Sequence, residues 1–233
     1  MENQNVLSNA NARVTGLLKN VYLWMTAGLA LTAVVSYLVG TNTRLLYKIY
    51  STGTYLFLVL LELGLVFFLS ANLRKMSTST AIGAFILYSI VNGLMLSSIF
   101  AIYAGLDIFR AFFTTTAMFG AMSVFAMFTK RDLSTLGRTL LMVLWGLIAA
   151  SVLNLFIKGN SLSFVIDIVA VAVFALLTAY DSQKIIALSN SFGDYIDEDT
   201  YIKLSIFGAL ELYLDFINIF LRILRLFANS RRD

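Results

Sequence analysis

No histidine, cysteine or proline occurs among the 233 residues, and charged side chains make up only 13% of them. Without cysteine and histidine there are no disulfides, no thiol or imidazole nucleophiles, no thiolate or imidazole metal sites and no c-type haem attachment. The missing histidine also removes the one side chain whose unperturbed pKa lies near neutrality, so proton chemistry falls to carboxylates, tyrosine or perturbed lysine. The charged share is about half that of a soluble domain, too little polar material to wrap a soluble core of this size. What remains is apolar: 59% of residues are hydrophobic and the mean hydropathy is +0.84. That balance predicts an integral membrane protein.

Seven apolar runs recur along the chain, each near the ~20 residues a helix needs to cross a bilayer core. They are Val21–Val39, Tyr55–Ala71, Ala81–Tyr103, Ala111–Phe128, Thr139–Ile157, Phe164–Leu188 and Lys203–Phe227. The expected fold class is therefore all-α: a polytopic membrane protein with seven transmembrane helices. Residues 1–20 read as a polar N-terminal arm, flexible or interfacial, and 21–233 as a single seven-helix transmembrane domain. The connectors TNTRLLYKIYSTGT, NLRKMSTST, AGLDIFR, TKRDLSTLGR and KGNSLS are short and polar, and the longest insert, NSFGDYIDEDTYIK, separates the last two runs. The polar start and the spanning length of the first run speak against a cleaved signal peptide.

Lysine and arginine counts in short loops set the expected orientation. With the N-terminus cytoplasmic, that side carries Arg13, Lys19, Arg74, Lys75, Lys130, Arg131, Arg138, Lys184 and Lys203, against Arg44, Lys48, Arg110 and Lys158 opposite. Arg222, Arg225, Arg231 and Arg232 run against this count if the seventh run crosses fully, and would join the inner side if it were re-entrant. Seven full crossings are preferred, because LSIFGALELYLDFINIFLRILRLF is long enough to span.

Ionisable groups inside a bilayer are costly, about 2.5–3.5 kcal/mol for Asp at a helix centre on insertion scales. The candidates are Glu62, Asp167, Asp181, Glu211 and Asp215. With the N-terminus inside, Asp181 falls near the cytoplasmic end of the sixth helix, and Asp215 about 18 Å into the seventh. Both carboxylates then lie in the inner half of the membrane on helices joined by one loop. Two carboxyls in contact cannot both ionise cheaply, so such a pair shares a proton and can titrate near neutrality without histidine. Ionised, it attracts a hard cation. Plainer readings stand beside this one: Asp181 is an interfacial acid neutralised by Lys184, and Asp167 is interfacial. Glu62 hydrogen-bonds a Tyr or Asn on another helix or lines an ion path. Glu211, one turn before Asp215, tunes that site or faces a polar interior. Arg74, at a depth similar to the Asp pair, is either their counter-ion or a snorkelling anchor.

TAYDSQKI followed by FGALELYLDFINIFLRILRLF resembles the Bax inhibitor-1 (TMBIM) family, in its bacterial YccA/YetJ-like branch. There the sixth helix ends in a YD-x-Q-x-I signature and the seventh reads LYLDFINLF followed by LLR; ELGLVF on the second helix is also family-like. The resemblance implies a C-terminal helix central among the other six. It also implies a pH-sensitive calcium leak in which the aspartates matching Asp181 and Asp215 form the sensor, calcium is the transported ion, and no cofactor is bound. An arginine at the cytoplasmic end of the second helix, for which Arg74 is the nearest match, would bond the pair.

The leading expectation is thus a calcium leak of a bacterial inner membrane, gated by Asp181 and Asp215, with Arg74 as counter-ion and Glu62 and Glu211 as secondary sites. Its partners would be the lipid bilayer, calcium and protons, with no nucleic acid, and the chain would be a monomer. The alternative is a non-transporting regulator of a membrane protease or of a stress or cell-death pathway, using the polar arm as a handle. An enzyme is not expected: the aspartates nominally fit an intramembrane protease, but no GxGD-type loop accompanies them.

Overall fold

A computed structural model describes the backbone of residues 2–51, 53–72, 75–157, 159–191 and 197–229, and the side chains of these apart from 2–14, 51 and 191. Among the described residues every regular element is a helix: α1 (Glu2–Gly40), α2 (Thr43–Ser51), α3 (Thr54–Asn72), α4 (Thr78–Leu96), α5 (Ile99–Ile102), α6 (Gly105–Phe128), α7 (Ser134–Ile157), α8 (Asn160–Ser191) and α9 (Glu198–Asn229). Seven are long and apolar enough to cross a membrane, namely α1 from Thr15, α3, α4 with α5, α6, α7, α8 and α9. Helix is the form an open-ended apolar run must take in lipid, because it satisfies its backbone polar groups internally. Phe67, Phe128, Trp145 and Phe156 are all exposed; such side chains suit a lipid-facing surface and would be a liability in water.

Three elements depart from the sequence expectation. Helix α1 begins at Glu2, so the polar segment ahead of Val21 is helical and continuous with the first span, which starts at Thr15, and Leu17 and Leu18 are already buried. The connector after Gly40 contains α2: the Asn42 side chain caps it by accepting from Arg44 N–H at 3.1 Å and Leu45 N–H at 3.3 Å. The third run is broken at Ser97, whose hydroxyl donates to the Leu94 carbonyl at 2.6 Å, and resumes as the short α5.

The chain forms two compact units. The first comprises Met1–Tyr103 and Ile186–Tyr213. Within it α1 and α4 pack closely because glycines face the contact: a Cβ on Gly93 would stand 2.8 Å from the Thr32 carbonyl oxygen and 2.8 Å from Val35 Cβ. Small residues at such positions let helix backbones approach where no hydrophobic effect drives them together. Thr32 then donates its hydroxyl to the Ser89 carbonyl at 2.8 Å. The second unit comprises Ala104–Ile185 and Leu214–Asp233. Ala126, Leu133 and Ala179 form a buried apolar cluster there, flanked by Met122, Leu136 and Tyr180.

Candidate functional site

In the second unit, the sixth span carries Asp181 in the sequence Tyr180–Ile185, half-buried near the end of that unit's share of α8. The side chains beside it are fastened to the α6–α7 hairpin. Gln183 accepts from Leu133 N–H at 2.8 Å and donates to the Arg131 carbonyl at 2.8 Å. Tyr180 lies against Gly137 so tightly that a Cβ there would overlap its ring. In the connector itself, Asp132 accepts from the Ser134 hydroxyl and from Ser134 N–H, the latter at 2.8 Å. Those hydrogen bonds hold its carboxyl below the ordinary range.

Asp215 sits on α9 in the same unit and is 4% exposed. Its apolar flank is closed by Phe216, whose ring meets Phe112 at 5.9 Å and Phe119 at 5.7 Å, both edge-on. A carboxylate so placed is the expensive kind that the sequence singles out.

A third acid in this unit is buried and paired. Asp167 is 2% exposed, and its Oδ1 is met by Arg222 Nη1 at 2.9 Å and Arg225 Nη2 at 2.9 Å. Three residues apart, the two arginines share one face of α9. The trio has a formal charge of +1. It sets the C-terminal turns of α9 beside the first turns of α8, so the two run antiparallel here. The helix from Glu198 to Asn229 is unbroken, and long and apolar enough to cross a membrane. At 1.5 Å per residue, Asp181 lies about 21 Å along α8 from this lock, and Asp215 about 10–15 Å along α9, on the same side of it. The sequence signal for the lock was the pair of arginines that opposed the positive-inside count.

The first unit holds a separate buried polar chain. Glu62 on α3 accepts from the Asn92 amide on α4, and that amide also reaches the Tyr88 hydroxyl at 3.4 Å. The Tyr88 ring meets Tyr213 edge-on at 5.4 Å, and the Tyr213 and Thr32 hydroxyls bond at 2.6 Å. Of the two readings of Glu62, the hydrogen bond to an Asn is thus present. Glu211 is half-buried on α9 in this unit. Arg74 lies outside the described residues. Asp197 caps the start of α9: hydrogen bonds from the Thr200 hydroxyl and N–H, the latter at 3.0 Å, hold its carboxyl below the usual range. Asp199 accepts from the Thr78 hydroxyl at 3.1 Å. The acidity of the insert before α9 is therefore partly employed in helix capping. Among the described residues no three acids gather closely enough to hold a metal ion.

Seven spans and buried ionisable groups define an integral membrane protein. The family model described as "Inhibitor of apoptosis-promoting Bax1" matches residues 14–232, and the chain belongs to this Bax inhibitor-1 family. It is 42% identical over 212 residues to the inner membrane protein YbhL of Escherichia coli K12, covering 91% of this chain and 90% of YbhL. It is 39% identical over 225 residues to a Borreliella burgdorferi protein, covering 93% and 95% of the two chains. It is 35% identical to YrjE of Lactococcus lactis, over 100% of this chain and 99% of YrjE.

Proposed function

We propose that this protein is a calcium-permeable leak of a bacterial inner membrane whose opening depends on the protonation of Asp181 and Asp215. The observation that carries the reading is Asp215, a carboxylate 4% exposed within an apolar span. Family membership and the inner-membrane relative support the setting. The placement of Asp181 and Asp215 in one unit, on the same side of the Asp167 lock, supports their acting together.

In this reading the N-terminus is cytoplasmic and the chain acts as a monomer. Calcium is the passing ion. Two carboxylates fall short of the six to eight oxygens a resident calcium takes, which suits an ion that enters and leaves. The charge of the pair biases the position of the α9 segment that carries Asp215: a shared proton holds one state, and loss of that proton shifts it. Glu62 and Glu211 are the secondary candidate sites of this reading. With no histidine in the chain, a response between about pH 6 and 8 falls to interacting buried acids. The test is calcium entry into dye-loaded liposomes across that range, in the wild type and in Asp→Asn variants of both residues. Flux that keeps its full pH dependence in the variants rejects the mechanism.

A further inference from the structure

The sequence Tyr180-Asp181-Ser182-Gln183 places a proposed sensor between two side chains that both engage the α6–α7 hairpin. The Gln183 amide closes on the main chain of an irregular connector, accepting from Leu133 N–H and donating to the Arg131 carbonyl, each at 2.8 Å. Backbone groups at helix ends lack intrahelical partners, and here one planar amide supplies a donor and an acceptor together. Glutamate offers no N–H to the Arg131 carbonyl when ionised, and leucine offers neither group. One turn earlier, Tyr180 presses on Gly137, and the apolar cluster of Ala126, Leu133 and Ala179 seals the same contact. At 100° per residue, Tyr180 and Gln183 project about 60° apart, whereas Asp181 projects about 160° from Gln183. Fixing one face of this turn therefore fixes where Asp181 points on the other.

We infer that Gln183 is a positioning residue: its amide clamps the α6–α7 connector to the turn of α8 that carries Asp181, so that the connector sets the direction and depth of that carboxylate. The inference rests on the proposed sensor role of Asp181. The charged and titratable groups on the elements at this end are Lys130, Arg131 and Asp132 on the connector, Arg138 on α7, Tyr180 and Lys184 on α8, and Asp215 on α9. Coupling between two sites is reciprocal. If the clamp sets the proton affinity of Asp181, the charge at position 181 must alter the strength of the clamp by the same factor.

The experiment measures hydrogen-exchange protection of the Leu133 amide, and calcium flux, across pH 5–8 for the full-length protein in lipid. The variants are Gln183→Leu, Gln183→Glu, Asp181→Asn and the Asp181→Asn/Gln183→Leu double variant. Gln183→Leu is expected to lower Leu133 protection about tenfold, the worth of one typical intramolecular hydrogen bond, and to shift the pH of half-maximal flux. Wild-type protection should change with pH and become flat in Asp181→Asn, and Gln183→Leu should leave the flux profile of Asp181→Asn where it was. Gln183→Glu, which keeps the acceptor, should fall between wild type and Gln183→Leu, and it carries the test if the leucine variant does not fold. Leu133 protection with the same pH dependence in wild type and Asp181→Asn overturns the inference. A wild type that passes no calcium rejects the leak, while the protection data still decide the clamp.

Discussion

Asp167 on α8 and Arg222 on α9 meet at 2.9 Å across 55 residues of sequence, with the carboxylate side chain 3% exposed and the guanidinium 22% exposed. Arg225 joins the same oxygen at 2.9 Å. Removing the acid strands two arginines beside an apolar helix. Asp167→Asn is therefore expected to destabilise the protein by about 2 kcal/mol, less than the ~3–5 kcal/mol of a fully buried pair because both arginines are partly exposed. Arg222→Gln should cost less, since Arg225 still reaches the carboxylate, and the Arg222→Gln/Arg225→Gln double variant more than the sum of its parts. Thermal unfolding in detergent, with the Tm of each variant, checks both the size and the non-additivity.

The α1–α4 contact gives a packing prediction. A Cβ on Gly93 meets a main-chain oxygen and Val35 Cβ at 2.8 Å each, and neither is the far end of a flexible side chain. Gly93→Ala must part the helices, at a cost of about 1–3 kcal/mol. Gly146, with open space around it, is the control: alanine there should be neutral or stabilise slightly, by up to ~1 kcal/mol through helix propensity. Equal Tm values for the two variants would contradict the packing account.

Much of the fold is legible in the sequence, for a physical reason. A spanning helix must be a long apolar run, so the seven spans stand out, and the structure starts most of them about a turn earlier than the apolar run does. Helix α2 escaped because TRLLYKIYS mixes polar and apolar residues in the manner of an interfacial helix, which reads as a connector on average hydropathy alone. The break at Ser97 is hidden because a serine that bonds its own backbone fits inside an apolar run. The role of Asp167 was not legible: burial of an acid depends on its partner, and Arg222 and Arg225 arrive from another helix. Gln183 stood in the family signature, but nothing in the linear sequence says that its amide meets residues 131 and 133. Asp181 and Asp215 were legible as outliers, since a charge in an apolar run is visible without any structure.

The cap of α9 gives a pH prediction with a definite sign. Hydrogen bonds from Thr200 hold the Asp197 carboxyl below its usual range. Its stabilising effect is therefore present above the ordinary Asp value of ~3.9 and lost as pH falls through the lowered folded value. Protection of the Thr200 amide should hold from neutrality down to about pH 4 and then fall. In Asp197→Ala it should be weak at every pH, with no acid step. Asp132 with Ser134 at the start of α7 should behave alike. This acid step is separate from any change near neutrality, which the chain must draw from other groups.

The measurement that bears most directly on the proposed function is calcium entry into liposomes as a function of pH for four proteins: wild type, Asp181→Asn, Asp215→Asn and the double variant. The account expects wild-type flux to change several-fold between about pH 6 and 8, each single variant to flatten that response, and the double variant to add little to either, because interacting carboxyls titrate as one unit. A full wild-type pH response in both single variants, each folded with an unchanged Tm, would contradict it.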